Sequence, residues 1–87
     1  MSKPYRVMTI TAYHEPSGGT ASVSYDTLDR DSYNQAIEDL ADGIVEYYNP
    51  VVWTSITLWH GNPTCESECT PVDVQIVLDV VKAVESL

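Results

Sequence analysis

Two cysteines, two histidines and thirteen carboxylates carry most of the chemistry open to this 87-residue chain. Cys65 and Cys69 stand in a C-x3-C spacing, His60 lies five residues upstream, and Glu66 and Glu68 fall between the thiols. Thiolate and imidazole are good zinc ligands, and His60, Cys65 and Cys69 with a fourth donor such as His14 would complete a tetrahedron. Structural zinc sites ordinarily pair two such half-sites, and only one is present here. The thiols read more simply as two reduced loop cysteines, or as one short-range disulfide. The expectation is therefore no cofactor, with His60, Cys65 and Cys69 as the weak metal candidates.

Covalent and acid–base catalysis find less support. No G-x-S-x-G, P-loop or H-E-x-x-H occurs. Cys65 with His60 is the one thiol–imidazole pair within reach of a single loop. His14 and His60 both fall at predicted strand ends, where a histidine is more often a solvated polar residue. The chain reads as a non-enzymatic protein.

The carboxylates have a pattern. Thirteen acids against four bases give a net charge of −9. Residues 26–46 hold seven acids (Asp26, Asp29, Asp31, Glu38, Asp39, Asp42, Glu46) and one base, Arg30, which is two thirds of that charge. Glu38, Asp42 and Glu46 recur at i, i+4, i+8, and like charges so spaced on a helix cost a few tenths of a kcal/mol each. Net charge of this sign excludes binding through nucleic-acid phosphates or to anionic membranes. No D-x-[DN]-x-[DN]-G calcium loop is present. The plain reading of the charge is solubility. The functional reading is docking on a basic protein surface, such as the groove of a nucleic-acid-binding protein. Glu38, Asp42 and Glu46 are then the principal contacts, with Asp39 in support. Small acidic inhibitors and nucleic-acid mimics of viral or mobile-element type have this composition, an analogy of composition alone.

The elements that would position these groups follow from pattern. At 87 residues the chain fits one domain, 1–87. Leu, Ile and Val make up about a quarter of it, enough for a folded core. The first residues open no apolar stretch of signal-peptide type, and no run is long enough to span a membrane, so a cytoplasmic location is expected. Residues 5–14 and 20–26 read as strands. Between them, 15–19 (EPSGG) form a turn. A four-residue loop at 16–19 would set Ala12 opposite Val23 and Ile10 opposite Tyr25. Residues 32–48 have the 3, 1, 3, 1 apolar spacing of an amphipathic helix. Ser32 is the expected N-cap, with Gln35 completing a capping box, and Asn49-Pro50 is the stop. Residues 51–60 read as a strand apolar on both sides. Residues 71–86 alternate like a strand, yet Thr70-Pro71 and the stripe Gln75, Asp79, Lys82, Ser86 favour a helix.

The expected fold is thus α+β: a two-layer ββαβα unit, a three-stranded, mostly antiparallel sheet with two helices on one face. That leaves the other face open, with Tyr5, Tyr13, Trp53 and Trp59 among Thr and Ser. Exposed apolar patches mark interfaces, and Trp and Tyr anchor them. The alternative function is therefore a homodimer or larger homo-oligomer built on this face, and a zinc-stabilised domain comes third.

Overall fold

A computed structural model of the chain describes residues 6–47, 53–62 and 70–87. The first two strands, β1 (Val7–His14) and β2 (Gly19–Asp26), form an antiparallel hairpin. The predicted faces are correct, but the pairing is two residues off. Ala12 lies opposite Ala21, Ile10 opposite Val23 and Met8 opposite Tyr25. The loop is 15–18, not 16–19, so Gly19 already pairs with His14. Gly18 takes φ of 70°, open to glycine without strain, and its N–H donates to the His14 carbonyl at 2.9 Å. A two-residue shift keeps every side chain on its face, because the period of a strand is two.

Helix α1 (Arg30–Tyr47) starts two residues before the expected start. Its N-cap is Asp29 and not Ser32: Asp29 Oδ1 accepts from the N–H of Asp31 at 3.0 Å and of Ser32 at 3.4 Å. A carboxylate at this place satisfies orphan donors and faces the positive end of the dipole. The Ser32 hydroxyl instead accepts from the Asp26 N–H at 3.0 Å, tying the end of β2 to the helix. The Asn49-Pro50 stop lies outside the described residues.

Residues 53–55, expected in a strand, make a 3-10 turn, and strand β3 covers only Ile56–Gly61. Val51 and Val52 lie outside the described residues. A fourth strand, β4 (Thr70–Pro71), pairs antiparallel with β3 and gives the order β2-β1-β3-β4, four strands where three were expected. Thr70 and Pro71, read as a helix start, are the strand itself. Proline is tolerated there because β4 is an edge. The C-terminal segment is nonetheless a helix, α2 (Val74–Glu85), with Asp73 as N-cap accepting from the Ile76 N–H at 3.0 Å.

Both helices pack on one face of the sheet. Ile10 and Ala12 of β1, Leu58 of β3, Ile37, Leu40 and Ile44 of α1, and Ile76 and Val80 of α2 form the buried cluster. Close approach of α1 to β2 occurs at Gly43, where an added Cβ would stand 3.7 Å from Ala21 Cβ, an ordinary contact. Gly43→Ala is therefore expected to raise stability by about 0.5–1 kcal/mol, through helix propensity alone. Denaturant unfolding checks this; a lower midpoint would mean that the helix cannot accept even a methyl group at this crossing.

Candidate functional site

The acidic residues singled out by spacing are all on α1, and Glu38, Asp39, Asp42 and Glu46 are all exposed. Among the described residues the one ion pair is Arg6–Asp26 at 3.2 Å, so none of these four acids is ion-paired. Asp39 Oδ1 accepts from the Gln35 amide at 3.0 Å. The last turn of α1 has no basic residue, and Glu46 sits at the negative end of the helix dipole, where an acid is disfavoured. The row winds around the helix, because each step of four residues advances about 40° at 3.6 residues per turn. Glu38 lies on the α2 flank and lines a cleft of about 400 Å³ with Lys82 and Ala83. Asp39 and Glu46 are the i−4 and i+3 neighbours of Gly43, and so lie toward the β2 flank.

The open face of the sheet is partly as expected. Tyr13 and Trp59 are exposed on it, at 38% and 40%. Trp59 stands opposite Thr11 on one side and Pro71 on the other. Trp53 is not there: the 3-10 turn that carries it rotates it out of strand alternation, and it packs against the core. Tyr5 lies outside the described residues. On the β2 side the Thr and Ser hydroxyls pair across the strands, Thr9 with Ser24 at 2.8 Å and Thr11 with Ser22 at 3.0 Å.

One polar network was not foreseen. Tyr25 Oη hydrogen-bonds His60 Nε2 at 2.8 Å, and the two rings stack at 5.8 Å. Tyr33 meets Tyr25 edge-on at 5.1 Å and donates its hydroxyl to Asp79 Oδ2 at 2.6 Å. Gln75 donates to the other Asp79 oxygen at 2.9 Å, and the Arg30 guanidinium lies 4.9 Å over the Tyr33 ring. The network joins β2, β3, α1 and α2 beside a cleft of about 430 Å³ bordered by Asp29 and Asp73. Burial pushes the His60 imidazole below its usual range, against the opposing pull of Asp73. Burial pushes the Tyr25 hydroxyl up, and Asp73 adds to it. The neutral forms are thus favoured, which suits a hydrogen-bonded structural tie between layers. The clue in the sequence was parity: odd positions of the second strand and even positions of the third share the inward face, so Tyr25 and His60 meet there.

The metal candidates separate. His14 lies opposite Ile56, while His60 lies opposite Ile10, four residues along the same ladder. At about 3.3 Å per residue that is ~13 Å, too far for two imidazoles to share one ion, so His14 is not the fourth donor. Cys65 and Cys69 lie outside the described residues. Among the described residues no three His, Cys, Asp or Glu are grouped to hold a metal ion. No helix among them is long and apolar enough to cross a membrane.

These features define a small two-layer α+β protein with one strongly acidic helix. Comparison with protein-family models, with curated proteins and with solved structures gave no match.

Proposed function

We propose that this chain is a non-enzymatic binding module that docks on a basic protein surface through α1. The observation that carries this reading is the exposed row Glu38, Asp42 and Glu46, with Asp39 beside it, none of them in an ion pair among the described residues. The arrangement works against the helix itself, through like charges at i, i+4 and an acid at the negative dipole end. Solubility needs only net charge, whereas a docking face needs it on one surface. A nucleic-acid-binding groove is one surface of matching sign, and an inhibitor or mimic would act by occupying it.

The test is triple charge reversal, Glu38→Lys with Asp42→Lys and Glu46→Lys, followed by affinity capture from lysate of the source cells at low and high salt. Capture of the partner is expected to fall about tenfold or more, equivalent to ~1.4 kcal/mol, and wild-type capture to weaken as salt rises. Melting temperature should change little, since reversal relieves the unfavourable dipole contact at Glu46 but sets like charge beside Lys82 at position 38. Capture that survives reversal, or ignores salt, removes this reading.

A further inference from the structure

The two edges of the sheet are unlike. β4 is two residues long and contains Pro71, a protected edge. β2 is eight residues long, has no proline, and carries no charge from Gly19 to Tyr25. Among the described residues β2 has no partner on its outer side.

The ladder fixes which groups face outward. The Arg6 carbonyl accepts from the Thr27 N–H at 2.7 Å, so odd residues of this segment bond to β1. Alternation along an antiparallel pair then turns the N–H and C=O of Thr20, Ser22, Ser24 and Asp26 away from β1. The Asp26 N–H confirms the phase: it points outward and is taken by Ser32 Oγ at 3.0 Å. Thr20, Ser22 and Ser24 remain as a row of outward donors and acceptors.

α1 runs along this strand. Ser32 bonds at Asp26, and Gly43 abuts Ala21. Eleven helical residues and five strand residues each span ~16.5 Å, so helix and strand lie antiparallel and in step. By the same rise, Asp39 stands level with Val23, and Glu46 level with Gly19 and Thr20. The edge is thus rimmed by acids on the helix layer. Pairing of β2 with a second copy across a two-fold axis would set these two acidic rims against each other, at a like-charge cost.

We infer that the β2 edge accepts an extended segment of the partner by antiparallel strand addition, with Lys or Arg at alternate positions facing Asp39 and Glu46. Main-chain bonds to Thr20, Ser22 and Ser24 supply the pairing, and the alternate basic side chains supply the choice of partner. This rests on the reading of α1 above and names what α1 reads.

The probe is a synthetic peptide of about nine residues, enough to span the strand, with Lys at alternate positions and Thr between. Binding is measured by calorimetry at low salt, and amide hydrogen exchange by NMR. The peptide is expected to bind, and to slow exchange at Ser22 and Ser24. A peptide of the same composition with its lysines in one block should bind more weakly. In an antiparallel pair the Thr amides face β2, so their N-methylation should cost about tenfold or more in affinity. A loss on methylating the Lys amides instead would support strand addition in the parallel sense. Binding with unchanged exchange at Ser22 and Ser24, or indifferent to methylation at either set, overturns the inference while the docking role of α1 stands. Protection of those amides that grows with protein concentration alone overturns it in favour of a second copy. Failure of every basic peptide to bind, with partner capture intact and dependent on the acids, also overturns it. Capture indifferent to charge reversal would remove the role of α1 separately.

Discussion

Leu40→Ala is expected to bring the chain close to unfolding. Leu40 is fully buried in the cluster that joins both helices to β1 and β3. Truncating a leucine at such a site costs about 2–5 kcal/mol, as lost transfer energy plus the cavity left behind. A chain of this length has a total stability of only ~4–13 kcal/mol at ordinary values per residue. The melting temperature, followed by circular dichroism, should fall by at least ~8 °C, at ~4–8 °C per kcal/mol for a domain of this size. Leu28→Ala is the matched control: Leu28 is 81% exposed, and its truncation should stay within about 0.5 kcal/mol. Equal effects at the two positions would mean that the described core is not the one that holds the fold.

Tyr33→Phe should cost about 1.5 kcal/mol, the lower end for a hydrogen bond to a charged group, because the site is only half-buried. It removes the 2.6 Å bond to Asp79 and the contact that ties the start of α1 to the middle of α2. The loss should have a pH signature. Burial, and then the Asp79 hydrogen bond, hold the Tyr33 hydroxyl well above its ordinary value near 10. A folded-state value above the unfolded one means the folded form keeps its proton longer. The stabilisation is therefore complete below about pH 10 and is lost as pH rises beyond it. Tyr33→Phe should lower stability at neutral pH and flatten that alkaline decline. Urea unfolding at pH 7 and pH 11 measures both, and an unchanged alkaline slope would place the titrating group elsewhere.

Where one interaction dominated, the sequence was legible. The faces of the hairpin followed from polarity: setting Met8, Ile10 and Ala12 with Ala21, Val23 and Tyr25 separates polar from apolar better than the other parity, which a three-residue loop would give and which sets Val7, Thr9 and Thr11 with them. α1 followed from its apolar spacing, and α2 from its polar stripe, although its Val and Ile content pulled toward a strand. Features decided between near-equal local options were not legible. Asp29 and Ser32 are both good caps, and three-dimensional context chose between them by giving Ser32 the Asp26 N–H. Gly18 and Gly19 could each have closed the turn, and Gly18 took the positive φ. Trp53 looked like a strand residue because the 3-10 turn has no sequence period to announce it. Of the candidate surfaces, the acids of α1 needed only helical spacing to be found. The free edge of β2 needed the strand order, which no local pattern encodes.

That order also sets the history of the chain as it forms. β1 is the first strand in sequence and a central one in the sheet, between β2 and β3. One side of β1 is covered at once by the hairpin, a short loop with little closure entropy. Its other side waits for Ile56–Gly61, more than forty residues later. During that interval Val7–His14 presents an unpaired, β-prone and largely uncharged template, the kind of segment that seeds aggregation. The segment made next is the most acidic in the chain, with residues 26–46 completed before β3. Mutual repulsion between nascent copies would then guard the strand until its own partner arrives.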